Sequence, residues 1–169
     1  MLAVVSGQGQ GETDAILRAV ATSLRDQGLR VAGAVQVNTD RAGTSMCDMD
    51  LHILSSGTLV RISQSLGPHA RGCRLDPDGL ERAVASVEAD MATCSPALLI
   101  INKFGKQEVE GRGFRDVIGM ALAEGVPVIV GVSPDKRAAF DAFCDGLATP
   151  VAADVASILD WVMIQVAAE

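Results

Sequence analysis

Aromatic side chains are scarce in this chain. Only 3% of its 169 residues are aromatic, with one Trp, four Phe and no Tyr. Stacking surfaces for nucleic-acid bases are built from such rings, so no such surface is expected. Basic residues are also in the minority, with 14 Lys and Arg against 21 Asp and Glu and a net charge of −7. This acidic balance repels nucleic acid and anionic membranes, and neither is expected as a partner.

Histidine and cysteine offer little for a metal centre. The only histidines are His52 and His69, which excludes a His-rich zinc site. The four cysteines form no CxxC pair and read most simply as separate thiols in a reducing compartment. The alternative is that Cys47 and Cys73 meet as a soft metal or redox site. These two residue types therefore predict no metal site.

Long hydrophobic runs are absent as well. None approaches the roughly 18–20 residues needed to span a bilayer. The opening "MLAVV" has no basic leader and predicts a strand rather than a signal peptide, so a cytoplasmic protein is expected. No G-x-S-x-G elbow supports a Ser/His/Asp hydrolase.

Hydrophobic residues make up 49% of the chain, which is enough for a sizeable core. Nearly unbroken apolar runs predict strands covered on both faces, as in a parallel sheet. Helical periodicity follows these runs, including a stripe that begins after Pro77. The chain is therefore predicted to be one three-layer α/β domain over residues 1–169. The predicted strands lie at 2–6, 30–37, 97–102 and 126–132.

Two segments stand apart from this alternation. Residues 47–65 contain two strand-like runs around a Ser-Ser-Gly sequence, which predicts a β-hairpin inserted at the edge or mouth of the sheet. The final helix, "DVASILDWVMIQVAA", is apolar nearly all round, and Trp161 is a candidate interface anchor. A homodimer or another protein partner is therefore one open alternative.

The stretch "VVSGQGQGETDAILRAV" has the order of a phosphate-binding loop: a strand, then glycines, then a helix. Backbone N–H groups in such loops converge on anionic oxygens, and the helix N-terminus adds partial positive charge. Against G-x-x-x-x-G-K-[ST], Gly11 and Thr13 match, but Ser6 stands at the first glycine and Glu12 at the lysine. Gly7 and Gly9 complete the candidate loop. The alternative is a plain strand-to-helix turn in which Glu12 stabilises its own helix.

A second candidate motif, "NKFGKQEVEGRGF", follows the strand at 97–102. Ligands of open α/β sheets bind beyond the carboxyl ends of strands, so this motif should share a rim with the glycine loop. Asn102 stands where nucleotide enzymes place a magnesium-binding Asp. Lys103 or Lys106 could supply the missing cation, and Glu108 is the best carboxylate for a metal or water. The alternative is a solvated loop of mixed charge.

Residues 63–80, "SQSLGPHARGCRLDPDGL", connect the hairpin to the next helix. Arg71 and Arg74 could clamp an oxyanion through paired hydrogen bonds. Asp76 is predicted to cap the helix that follows.

The strings "NKFGKQEVEGRGF" and "GCRLDP" resemble those of a family of small bacterial proteins of unknown function. Genes for that family often lie near genes for molybdate transport or molybdenum enzymes. The family in turn resembles a divergent branch of the thermostable-type P-loop nucleoside triphosphatases. The match covers nearly the whole chain.

The resemblance implies a P-loop-like fold in which Gly11 and Thr13 match the loop. Glu108 matches the last acid of the strand-end motif D-E-x-G-x-x-E. Asn102 and Lys103 depart from its metal-binding Asp and catalytic Glu, and Glu12 departs from the loop lysine. The implied ligand is a small anion or nucleotide, such as a nucleotide with Mg²⁺, or molybdate.

Three functions follow from these observations. The first is an anion- or nucleotide-binding accessory protein in molybdenum handling, with a molybdenum enzyme as a candidate partner. The second is a slow Mg²⁺-dependent nucleoside triphosphatase that uses Lys106 and Glu108. The third is a protein-interaction module without a ligand.

Overall fold

A computed structural model describes residues 1–9, 11–40, 47–64 and 75–167. Seven strands form one sheet in the order β4-β3-β2-β5-β6-β1-β7. Their bounds are Leu2–Val5 (β1), Val31–Asp40 (β2), Cys47–Ile53 (β3), Leu59–Arg61 (β4), Leu98–Phe104 (β5), Val128–Val132 (β6) and Thr149–Val151 (β7). The helices are Glu12–Asp26 (α1), Pro77–Cys94 (α2), Lys106–Val109 (α3), Arg115–Ala123 (α4), Arg137–Phe143 (α5) and Val155–Val166 (α6).

Five strands, β2, β5, β6, β1 and β7, run parallel to one another. Four of them are the strands predicted at 2–6, 30–37, 97–102 and 126–132, and most of their residues are buried because helices cover both faces. The predicted α/β fold with a mainly parallel sheet is confirmed.

The segment after β2 forms the antiparallel edge of the same sheet. Strand β3 pairs with β2 from Ala34 opposite Ile53 to Asp40 opposite Cys47. Strand β4 then pairs antiparallel with β3 across the Ser-Ser-Gly turn, as the hairpin pattern predicts. The hairpin therefore continues the main sheet and carries its edge outward from β2.

The sheet separates two hydrophobic clusters. On one face, side chains of α2, α4 and α5 pack on alternate strand residues such as Val4 and Ile101. On the other face, α1 and α6 pack on Val5 and Ile100. The alternation within β1 and β5 follows from the two-residue period of a strand. This arrangement is the predicted three-layer core.

The residues at the N-termini of α2 and α1 determine the shape of the loops that precede these helices, at the carboxyl edge of the sheet. Asp76 precedes α2 and accepts a hydrogen bond from the Asp78 amide at 3.2 Å, so its predicted capping role is confirmed. Helix α1 instead begins after Gly11, which has a φ of 72° and no side chain to cap the helix. A left-handed φ is accessible to glycine without steric cost. No helix in the described part of the chain is both long and apolar enough to cross a bilayer.

Candidate functional site

A cavity of about 320 Å³ lies at the carboxyl ends of β1, β5 and β6. The loop before α1 forms one wall, and the last residues of β5 and β6, with the turn after β6, form the other. The two sequence motifs therefore share one rim, as expected for an open α/β sheet. The cavity is lined by Gly7, Gln8, Gly9, Gly11, Thr13, Asp14, Asn38, Asn102, Lys103, Val132, Ser133 and Pro134.

Three backbone amides of the glycine loop are satisfied by side chains from the first turn of α1. The amides of Gln8 and Gly9 donate to the same carboxylate oxygen of Glu12, Oε2, at 2.8 and 2.9 Å. The Gly7 amide donates to the hydroxyl of Thr13 at 2.9 Å. We expected these amides to face a guest anion while a lysine offset Glu12. Instead, the loop binds the Glu12 carboxylate itself.

The two candidate lysines occupy different places. Lys103 lines the cavity beside the glycine loop, and no described residue forms an ion pair with it. Lys106 lies in α3, away from this cavity, with its side chain 69% exposed and its ammonium 3.7 Å from Glu110. Of the two candidates, Lys103 alone provides a cation at the glycine loop.

Asn102 is held at the end of β5 by Asp14, a residue that the sequence interpretation missed. Asn102 is 1% exposed, and its Nδ2 donates to Asp14 Oδ1 at 2.7 Å. The other Asp14 oxygen accepts a long hydrogen bond of 3.5 Å from Asn38. Asn38 in turn accepts from Gln36 at 2.8 Å. An amide thus takes the position expected of a metal-binding Asp, and it is neutral and bonded to a carboxylate.

Asn102 Oδ1 faces the neighbouring strand rather than the cavity. It is buried and has no hydrogen-bond partner among the described residues. It lies so close to Gly131 of β6 that a Cβ at that position would stand 2.3 Å away. The bond to Asp14 fixes this orientation, because rotating the amide would place its oxygen against a carboxylate.

Glu108 has a structural role that differs from its predicted metal- or water-binding role. It is 3% exposed, and its two oxygens accept from the amides of Gly105 at 2.8 Å and Phe114 at 3.1 Å. It therefore closes the turn around α3. Burial raises the pKa of the Glu108 carboxyl above its ordinary value of 4.5, and the two backbone hydrogen bonds oppose that rise.

A metal ion would find few ligands in this cavity. Among the described residues, no group of three or more His, Cys, Asp or Glu side chains could hold one. Asp14 and Thr13, which both line the cavity, carry oxygen atoms that can bind a metal ion. Mg²⁺ commonly uses one or two protein oxygens together with substrate phosphates and water, so these two residues would hold Mg²⁺ only together with a nucleotide.

The remaining predicted site residues fall elsewhere. Arg74, Arg71 and Cys73 lie outside the described residues, so the oxyanion clamp and the paired-cysteine site stay predictions. Cys47 opens β3 as a partly exposed free thiol.

Comparison with known proteins agrees with this architecture. The chain is 33% identical over 160 residues to the molybdenum import ATP-binding protein ModC 2 of Bradyrhizobium diazoefficiens. That match covers 95% of the chain and 18% of the relative. No solved structure matches the chain.

The mainly parallel sheet, the glycine loop between its first strand and first helix, and the similarity to an ATP-binding protein are consistent with a P-loop-NTPase-like fold. The family model described as "Protein of unknown function (DUF2478)" matches residues 2–161. The chain therefore belongs to the DUF2478 family.

Proposed function

We propose that this protein binds a nucleotide or another oxyanion at the glycine loop and does not hydrolyse it efficiently. The observation that carries the proposal is the convergence of the Gln8 and Gly9 amides on one oxygen of Glu12. Two amides within 2.9 Å of a single anionic oxygen have the geometry that phosphate-binding loops offer. The loop can therefore hold an oxyanion, and Glu12 is the internal competitor.

Glu12 is on the surface, so a guest can displace it without opening the core. Each charge-assisted hydrogen bond that Glu12 gives up is worth about 1 kcal/mol at such an exposed position. The incoming anion regains these bonds and is attracted by Lys103 at the same cavity. In binding, the guest anion thus replaces the Glu12 carboxylate at the loop, and competition from Glu12 limits the affinity of the protein for the guest.

The residues at the strand end argue against efficient hydrolysis. Asn102 carries no charge for a metal, and Glu108 uses both carboxylate oxygens on backbone amides. Phosphoryl transfer depends on positioned charge, which these side chains do not provide. The alternative of a slow triphosphatase therefore loses the carboxylate that it needed.

The cavity fits a phosphate-bearing ligand better than free molybdate alone. Asp14 and Glu12 make the rim acidic, so a bare dianion meets repulsion unless Glu12 moves away or a cation accompanies it. Mg²⁺ bound to a nucleotide would supply that cation and neutralise phosphate charge. Asp14 and Thr13 would hold it.

We further propose an accessory role in molybdenum handling. The support is the 33% identity with a protein named for molybdenum import and ATP binding, of which this chain spans only 18%. A segment of that size can function as a separate module beside another part of the polypeptide. Small anionic ligands and a molybdenum-related protein partner follow as proposals from this relationship.

Isothermal titration with pyrophosphate, Mg²⁺-ATP and molybdate tests the binding function. We expect Glu12→Gln to bind at least one of them about 10-fold more tightly than the wild type, because the competing charge is gone. Glu124→Gln, which removes an exposed carboxylate at the end of α4, is the matched control and should behave as wild type. Absence of binding of all three ligands at millimolar concentration, in both wild type and Glu12→Gln, refutes the proposal.

A further inference from the structure

A second cavity, of about 370 Å³, lies on the other side of Lys103 from the glycine loop. Its walls come from strands β2 and β3, the start of α2 and the turn around α3. Most of its lining is apolar, with the side chains of Met49, Leu51, Ile62, Leu75, Leu80 and Phe114. Side chains from β3 and α2 thus face a common space that they do not fill.

The two cavities differ in chemistry but share a residue. Lys103 lines both, and its ammonium group has no ion-pair partner among the residues that the structure describes. The first cavity is rich in amides and hydroxyls, whereas the second offers an apolar surface with a few polar groups at its margin. Its described lining includes the uncharged polar residues Gln36 and Gln107 and, besides Lys103, the charged residues Lys106 and Glu108.

A chain of hydrogen bonds also connects the two cavities. Gln36, which lines the apolar cavity, donates to Asn38 at 2.8 Å. Asn38 and Asp14, both in the lining of the first cavity, are joined at 3.5 Å. Gln36 is only 6% exposed, so its amide is held in place by the sheet. Polar side chains in the linings of the two cavities therefore belong to one hydrogen-bonded chain.

We infer that the protein's ligand is an organic phosphate whose body is a flat, largely apolar ring system, and that this body occupies the second cavity while the phosphate reaches the glycine loop. This inference rests on the proposed anion-binding function and narrows its ligand class. Each cavity is within the size range of small-molecule sites, and pockets that are mainly apolar with a few fixed polar groups are typical of such sites. An inorganic oxyanion would fill the first cavity alone.

Affinities for inorganic phosphate, ribose 5-phosphate, AMP and GMP, measured by isothermal titration, test this inference. Ribose 5-phosphate matches the nucleotides in everything except the flat base. We expect AMP or GMP to bind at least 10-fold more tightly than ribose 5-phosphate. Equal affinities for all four compounds would overturn the inference and leave the proposed function standing. No binding by any of them would overturn both.

Substitutions locate the body of the ligand. Met49→Trp places a large side chain in the second cavity and should remove the nucleotide advantage while leaving phosphate affinity unchanged. Met120→Trp, at an exposed position on α4 that lines neither cavity, is the matched control. Should Met49→Trp prove unstable, Gln36→Leu, which keeps the volume and removes the amide, should reduce the advantage. If the advantage survives in all folded variants, the second cavity does not hold the ligand.

Discussion

Asn102 and Gly131 are in contact across β5 and β6, and the fit depends on glycine. An added Cβ at position 131 would stand 2.3 Å from Asn102 Oδ1 and 3.0 Å from side-chain carbons of Leu17 and Thr13. The amide is also fixed by its bond to Asp14. The orientation of the Asn102 amide therefore requires glycine at position 131, although the two residues lie on separate strands.

Gly131→Ala should lower the free energy of unfolding by about 1–3 kcal/mol, as overpacking of a core does. Combined with Asn102→Ala, which removes the obstructing oxygen, the same substitution should cost much less than it does alone. Urea unfolding of the wild type, both single variants and the double variant measures this coupling. If the changes in unfolding free energy were strictly additive, the contact with Asn102 would not be what restricts position 131 to glycine.

Gly7→Ala should dislodge Glu12 from the loop. Its Cβ would stand 2.8 Å from Glu12 Oε2 and 2.9 Å from the Thr13 hydroxyl, so both flexible side chains must move. Gly9→Ala is the control, since its Cβ would come no closer than 3.6 Å to any Glu12 atom. We expect hydrogen exchange at the Gln8 amide to accelerate several-fold in Gly7→Ala and to change little in Gly9→Ala. Equal exchange in both variants would contradict the internal binding of Glu12.

Asp14→Ala should destabilise the protein by about 1–3 kcal/mol, because the buried Asn102 amide loses its acceptor. Asp14→Asn keeps an acceptor oxygen and should recover most of the loss. Asp116→Ala removes an exposed acid from the first turn of α4 and controls for the helix-dipole effect of about 0.3–1 kcal/mol. Thermal or urea unfolding of the three variants separates these contributions. Equal losses in Asp14→Ala and Asp116→Ala would argue against a role for the bond to Asn102.

Glu108 should make stability depend on pH. Because burial raises its pKa in the folded protein above 4.5, the folded state binds more protons than the unfolded state between 4.5 and the raised value. The free energy of unfolding contributed by Glu108 therefore falls as pH rises through that window.

Glu108→Gln should flatten this dependence in urea unfolding between pH 4 and 8. It should also cost about 1–3 kcal/mol at pH values where Glu108 is ionised, since the carboxylate accepts from both backbone N–H groups and an amide supplies only one acceptor oxygen for them. Glu110→Gln, at an exposed neighbouring position, should retain the wild-type slope. An unchanged slope in Glu108→Gln would contradict the raised pKa.

Much of the fold could be predicted because its signals are local. Apolar runs predict β1, β2, β5 and β6, and the aspartate before Pro77 predicts the start of α2. Strand β7 has three residues, one of them proline, and carries no comparable signal. It forms by pairing with β1, a contact that no local pattern specifies.

The site was harder to predict because its contacts are distant in sequence. The bond between Asp14 and Asn102 joins residues 88 positions apart, so neither side chain reveals the other. Glu12 was recognised as an acid suited to a helix start, but its reach back to the Gln8 and Gly9 amides depends on the shape of the loop. Glu108 offered a readable clue, since Gly-x-x-Glu is the spacing at which a carboxylate can cap the turn before it.

The Glu12 carboxylate, which is bound by the glycine loop of its own chain, offers a way for another molecule to detect whether the loop holds a ligand. A guest anion that accepts hydrogen bonds from the Gln8 and Gly9 amides would need no change of backbone conformation, because these amides already converge on one oxygen of Glu12. What would change is the position of the Glu12 charge, because the guest would replace its carboxylate at these amides. The relocated negative charge at the start of α1 would then be the feature by which another molecule distinguishes the filled protein from the empty one.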